Sequence, residues 1–335
     1  MIDSGETASA AGDDGPRLHH DLLAARHVIV APRRAARPAD ADLATAGGGP
    51  RDWCPFCAGN ESRTPTALLR TPSDPARPWR ARIVPNRFPF VGSDALPRPP
   101  SGTATERPAG GVHEVIIESA AHERSILDLD AAAWREVWEL CRRRLADLAG
   151  RDDLAWVTVF KNSGPLAGAS LEHLHSQLVG LDFVPPALAA ELAAAAVHAD
   201  PFAEFLAAAA AAGRIVREAG GVVAVVPPAP RQPFETWLVP GARGAFFHAA
   251  AAEQVAAVAD LTRWFVGRLA RLVPGADYNW WLHQAPFRPS AATAAWHWHL
   301  EMLPRLSHLA GFELGTGCHV STLAATEAAR RLGGD

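Results

Sequence analysis

HLHSQLV, residues 173–179, is the stretch on which the reading of this chain turns. It is a β-type run in which His173, His175 and Gln177 alternate with Leu174, Ser176 and Leu178. Side chains alternate across a strand, so the three polar residues are expected on one face of a sheet. Such a face can simply look at water. The segment before it points elsewhere. FKNSGPLAGAS (160–170) leaves a strand, turns through Gly164, Pro165 and Gly168, and returns small residues beside the histidines. Where side chains are small, backbone N–H groups can close on an anion such as phosphate, as in a nest.

The pattern occurs twice. His173-Leu-His175-Ser-Gln177 is answered by His297-Trp-His299-Leu-Glu301, WVTVFKN (156–162) by NWWLHQA (279–285), and Glu114–Ile117 by Glu235–Leu238. Each set also encloses a helical segment. Trp134, Val137, Trp138, Cys141 and Leu145 share one face of the first, which makes Cys141 a core residue; Val255, Val258, Leu261, Phe265 and Leu269 share one face of the second. The expectation is a duplicated α+β fold, each half a mostly antiparallel sheet with a helix packed on it. The halves are 17–183 and 184–335, after a disordered tail over 1–16. The Pro- and Gly-rich stretch 96–111 reads as a surface loop.

Composition narrows the partners. With a formal net charge of -4 over 335 residues, nothing suggests a nucleic-acid or membrane surface, and an anionic ligand must be met by local arginines. The N-terminus lacks the basic start and apolar run of a secretory signal. The Ala-rich segment 187–212 is broken by Glu191, His198, Asp200, Pro201 and Glu204, so it is no membrane span. A cytoplasmic protein is expected. Of the four cysteines only Cys54 and Cys57 are close, and their CPFC spacing suits either a tetrahedral metal or a redox pair.

Taken together, VIVAPRRAARP, CPFC, VPNRFP, HEVIIES, FKNSGPLAGASLEHLHSQLV, HWHLEMLPR and GFELGTG occur in one order over about residues 17–333. In this the chain resembles the galactose-1-phosphate uridylyltransferase family, the nucleotidyltransferase branch of the histidine-triad superfamily. The resemblance implies a duplicated histidine-triad fold of two half-barrel sheets. It implies UDP-glucose:hexose-1-phosphate uridylyltransferase activity in galactose metabolism, with a nucleotide sugar and a sugar 1-phosphate as substrates. Phosphorolysis of a nucleotide sugar, as in the ADP-glucose phosphorylase branch, is the near alternative. A non-catalytic nucleotide-binding module and a dinucleoside-polyphosphate hydrolase are further ones.

Within that resemblance His175 is the nucleophile, Ser170 a phosphate hydrogen-bonding residue and Asn162 a nucleotide or phosphate contact. Gln177 stands where hydrolases carry a third histidine. An amide can hydrogen-bond a phosphoryl oxygen but not shuttle a proton, which favours transfer over hydrolysis. Arg34 and Arg37 match arginines near the phosphates, whereas Arg33 reads as a solvated surface charge. Asn86 and Arg87 match the nucleotide-binding turn, and Phe312 and Glu313 the segment that reaches the sugar. Enteric and animal members have tyrosine at the Phe312 position, so one hydroxyl is missing here. Cys54, Cys57, His122 and His173 match a structural zinc site. Glu191, His283, His297 and His299 are candidates for a second metal, iron or zinc; the tryptophans around them could equally bury neutral histidines without one. Relatives are often homodimers whose sugar site is finished by the neighbouring subunit.

Overall fold

The structure, a computed structural model, describes residues 15–21, 23, 26–36, 50–92, 106–288 and 291–334. The first half supplies β1 (Arg17–Asp21), β2 (Arg26–Val30), β3 (Leu69–Thr71), β4 (Ala81–Pro85), β5 (Glu106–Pro108), β6 (Gly111–Ile117), β7 (Trp156–Ser163) and β8 (His175–Leu181). The second supplies β9 (Ile215–Ala219), β10 (Val222–Val225), β11 (Thr236–Pro240), β12 (Tyr278–His283) and β13 (His299–Pro304). Ten strands lie in the order β3-β4-β6-β8-β7-β12-β13-β11-β10-β9, while β1, β2 and β5 form a small sheet of their own. The first five of the ten come from one half and the last five from the other. Read inward from each edge, β3-β4-β6-β8-β7 is answered by β9-β10-β11-β13-β12, which is the duplication expressed as topology. The two antiparallel half-sheets join edge to edge where β7 pairs β12, with Asn162 opposite Asn279.

Strand alternation decides what each face does. On β8, Ser176 and Leu178 turn toward the helices, so His175 and Gln177 turn away from them. The helix Ala131–Ala149 buries Trp134, Val137, Trp138, Cys141 and Leu145, the stripe its spacing predicts, and Asp130 caps its start by accepting from Ala133 N at 2.8 Å. The helix Ala252–Leu272 lies beside it, tied by a 2.9 Å hydrogen bond from Trp134 Nε1 to Thr262 Oγ1 across the repeat boundary. Trp134 meets Trp138 edge to face at 6.2 Å, and both rings lean on Trp280 of β12. Removing one such indole costs about 3–5 kcal/mol, so this cluster clamps the two halves together.

Three local expectations change. Residues 1–14 of the expected tail lie outside the described residues, but Pro16 is fastened, its carbonyl accepting from Ala109 N at 2.8 Å. Residues 96–105 of the expected 96–111 loop also lie outside them; Glu106–Pro108 pairs with β1 as β5, and Gly111 already begins β6. The strand carrying the histidines starts at His175, leaving His173 in the irregular turn before it. No described helix is long and apolar enough to cross a membrane.

Candidate active site

The loop between β7 and β8 is held by its own backbone. Gly164 has φ +89°, and a Cβ there would lie 1.8 Å from Asp277 Oδ1, so only glycine permits the approach. Asp277 Oδ2 in turn accepts from Leu166 N at 2.6 Å. Ala167 N and Ala169 N donate to Gly164 O, and Gly168 N to Pro165 O. Four amides of the expected phosphate nest are therefore already engaged within the protein. The loop supplies shape, and the contribution to an anion falls to Ser170 and the strand beyond.

At the start of β8, His175 Nδ1 lies 2.7 Å from His173 O. A carbonyl only accepts, so Nδ1 carries the proton and Nε2 keeps the lone pair. His175 is buried except for an edge, which borders two clefts. One is lined by Trp53, Phe56, Asn86, Arg87 and Gln177, the other by Arg124, Asn162, Asp277 and Tyr278; Ser170 borders both. A group held at Nε2 thus stands between two spaces, the arrangement needed for a donor part and an acceptor or leaving part. Phe56 packs 5.2 Å from the His175 ring and 5.8 Å from that of His173. Gln177 Oε1 lies 2.8 Å from His113 Nε2.

On the helix side, directly behind His175, sits a buried ion pair that sequence reading missed. Lys161 Nζ donates to Glu118 Oε2 at 2.5 Å and to His175 O at 2.8 Å, and Ser176 Oγ donates to Glu118 Oε1. Lys161 and Glu118 are each 2% exposed. The available signal was a charged residue at an inward position of two apolar strands, which is rarely unpaired.

The remaining expected residues divide. Arg34 donates to Phe88 O at 2.8 Å and lies over the Phe90 ring, against the VPNRFP turn. Arg33 has no acidic residue beside it on its short helical turn and is exposed. Arg37 lies outside the described residues. Asn86 and Arg87 line the first cleft. Asn162 Oδ1 accepts from Asn279 Nδ2 at 2.9 Å, which leaves its NH2 group for the second cleft. Phe312 and Glu313 are not brought to His175: they sit on the exposed helix Gly311–Thr316, with Phe312 57% exposed.

The four zinc candidates converge. Cys54 Sγ and Cys57 Sγ each lie 3.5 Å from His173 Nδ1, and Cys57 Sγ lies 3.4 Å from His122 Nδ1. For Zn–S and Zn–N bonds of ordinary length, a tetrahedral edge between sulfur and nitrogen is about 3.6 Å. The donors therefore stand at the spacing a tetrahedral ion needs. His173 Nε2 lies 3.0 Å from Ser119 O, which fixes the proton there and turns the Nδ1 lone pair to the cluster. Burial pushes the His173 imidazolium down to about 3 and the Cys54 thiol up to about 12, so the ring is neutral and the thiolate requires a cation. None of the four cysteines forms a disulfide.

The second cluster differs from expectation by one residue. Glu191, His283, His299 and Glu301 present ligand atoms within 4.8 Å of one another. His297 turns away: its Nδ1 lies 2.9 Å from Pro240 O and its Nε2 3.4 Å from Asp200 Oδ1. The cause is alternation around a strand start, since His297 precedes β13 as His173 precedes β8. His299 Nδ1 lies 3.2 Å from His297 O, repeating the His175 geometry, and its buried Nε2 finds no hydrogen bond, with Glu301 Oε1 at 3.7 Å. His283 Nδ1 is 2.9 Å from Glu191 Oε2. Burial raises the Glu301 carboxyl, but His299, His283 and Arg231 outweigh it and hold the group down to about 2. Two imidazoles and two carboxylates suit iron or zinc.

Residues 110–333 match a family model described as a domain of unknown function, DUF4921. An ADP-glucose phosphorylase of Arabidopsis thaliana is 29% identical over 345 residues, covering 98% of each chain. A galactose-1-phosphate uridylyltransferase of Thermotoga maritima is 23% identical over 329 residues, covering 94% of this chain and 97% of the relative. Among solved structures, that of an Arabidopsis thaliana ADP-glucose phosphorylase with bound ADP-glucose aligns with a TM-score of 0.76 at 27% identity, covering 96% of this chain and 99% of the other.

Proposed function

Because the chain belongs to the DUF4921 family and is a nucleotidyltransferase of the galactose-1-phosphate uridylyltransferase family, we propose that it transfers the nucleotidyl group of a nucleotide sugar through a covalent intermediate on His175. The observation that carries this reading is the carbonyl contact at His175 Nδ1, which fixes the proton there and puts the ring's lone pair on Nε2, in a side chain that borders two clefts. In the first step the Nε2 lone pair attacks the α-phosphorus, an N–P bond forms, and the anhydride P–O bond breaks to release sugar 1-phosphate. The His173 carbonyl holds the Nδ1 proton and stabilises the charge that the ring gains. In the second step an acceptor phosphate oxygen attacks the same phosphorus, and the N–P bond breaks, returning the lone pair to Nε2.

Gln177 and Ser170 hold phosphoryl oxygens from the rim of the cleft, with no third histidine to activate water. Asn86 and Arg87 receive the nucleoside and its phosphate; Asn162 faces the sugar-phosphate side. Arg34 braces the turn that carries Asn86 and Arg87. We assign ADP-glucose as donor and orthophosphate as acceptor. The Arabidopsis phosphorylase is the more similar of the two full-length relatives, and Phe312 brings no hydroxyl to a hexose. The second reading, UDP-glucose with hexose 1-phosphate in galactose metabolism, is favoured by the full-length match to the Thermotoga enzyme. Incubation with UDP-glucose or ADP-glucose, each with galactose 1-phosphate or orthophosphate, separates them. ADP formed from ADP-glucose and orthophosphate supports the first assignment, and UDP-galactose formation overturns it.

Cys54, Cys57, His122 and His173 would hold zinc as a structural ion, and their cluster would then anchor the turn whose carbonyl orients His175. Glu191, His283, His299 and Glu301 would hold iron or zinc, bracing the equivalent place in the second half. A homodimer accounts for the exposed segment bearing Leu309, Phe312, Leu314 and Val320, which then delivers Phe312 and Glu313 to the neighbour's site. Four cysteines outside any disulfide accord with a reducing, cytoplasmic location.

A further inference from the structure

We infer that His113 is a positioning residue for this reaction: its Nε2–H holds the carbonyl end of the Gln177 amide and thereby turns the NH2 end toward the phosphorus. The inference rests on the proposed transfer through His175. His113 opens the HEVIIES run and is 5% exposed, on the same sheet face as His175 and Gln177. Its Nε2 lies 2.8 Å from Gln177 Oε1 and 3.0 Å from Asn86 Nδ2. One ring nitrogen cannot donate to the first and accept from the second.

The VPNRFP turn decides between them. Phe88 N donates to Asn86 Oδ1 at 2.8 Å, so the Asn86 NH2 group lies toward Nε2 and, of the ring's three contacts, is the one that makes no hydrogen bond when Nε2 carries the proton. Phe90 N, which can only donate, reaches His113 Nδ1 at 3.4 Å, and the Phe90 ring packs 4.3 Å from the imidazole. Nδ1 therefore holds the lone pair and Nε2 the proton, and a donor at Nε2 requires the oxygen of Gln177 opposite it. The amide hydrogens of Gln177 then face the cleft that Gln177 shares with His175, and those of Asn86 are left for the nucleotide in the same cleft. With the amide reversed, Gln177 would present an oxygen to a phosphoryl oxygen, and the contact would repel.

The test compares the two α-thio diastereomers of ADP-glucose in single-turnover formation of the nucleotidyl-enzyme. Sulfur accepts hydrogen bonds poorly, so a donor fixed on one non-bridging position makes the enzyme discriminate between the diastereomers. His113→Phe is expected to slow nucleotidyl transfer about 10- to 100-fold with KM within about threefold, and to bring the diastereomer ratio toward one. His113→Gln, whose amide nitrogen reaches the Nε2 position, should restore the ratio, and the shorter His113→Asn should not. The Gln and Asn variants carry the test if the Phe variant does not fold. A ratio unchanged in His113→Phe, or unrestored in His113→Gln, overturns the inference while labelling of the wild type still supports the transfer reading. A wild type that forms no nucleotidyl-histidine overturns both.

Discussion

Stripping metal from the Cys54, Cys57, His122 and His173 cluster should slow transfer much more than it weakens substrate binding. The two jobs meet in His173. Its Nδ1 stands 3.5 Å from both sulfurs, and its carbonyl, on the same residue, holds the Nδ1 proton of His175 at 2.7 Å. Without a cation the Cys54 thiol, pushed up to about 12 by burial, takes a proton at neutral pH, and the ring loses the contact that anchors its backbone. Loss of a group that orients a reacting side chain typically costs 10- to 100-fold, or about 1.4 to 2.7 kcal/mol of transition-state stabilisation. The assay is rapid-quench formation of the nucleotidyl-enzyme before and after chelation, with metal counted in the same samples, and Cys54→Ser as the genetic counterpart. KM should stay within about threefold, because the cleft lined by Asn86 and Arg87 does not include the metal ligands. Protein carrying less than about 0.1 ion per chain and labelling at the full rate would refute the coupling.

Other outcomes follow from particular contacts. Lys161→Met leaves Glu118 buried without its cation and should lower stability by about 3–5 kcal/mol in urea unfolding, with Lys161→Met/Glu118→Gln recovering much of it. Gln177→His supplies a proton-transferring ring beside the phosphate and should raise the share of hydrolysed nucleotide over transferred nucleotide, read by chromatography of the products. Metal analysis should return about two ions per chain, falling to about one in Glu301→Gln, whereas His297→Gln should keep both. Gly164→Ala forces a Cβ onto Asp277 and should cost about 1–3 kcal/mol in the same unfolding assay.

How far the sequence reached depended on the distance over which each feature is encoded. The helix stripe from Trp134 to Leu145 and the alternation of His175 and Gln177 are short-range periodicities, and both were legible. So was the duplication, because it repeats whole motifs. The partners of those residues depend on register between strands distant in sequence. Gln177 meets His113 because β8 pairs β6, and Lys161 meets Glu118 because both flank the same strand. Neither contact is written in local spacing. The second cluster shows the same limit: the HxH pattern alone could not tell that the strand begins at His299, which sends His297 toward Pro240 O and lets Glu301 join. The phosphate nest failed for a related reason, since Asp277 and Gly164 use the loop amides first.

Covalent labelling tests the central claim most directly. Incubated with ADP-glucose labelled at the α-phosphate, the wild-type protein should retain label in an acid-labile, base-stable bond on His175 and release an equal amount of glucose 1-phosphate, while His175→Ala should retain none. Label persisting in His175→Ala, or turnover by the wild type with no labelled protein at any time, would contradict it.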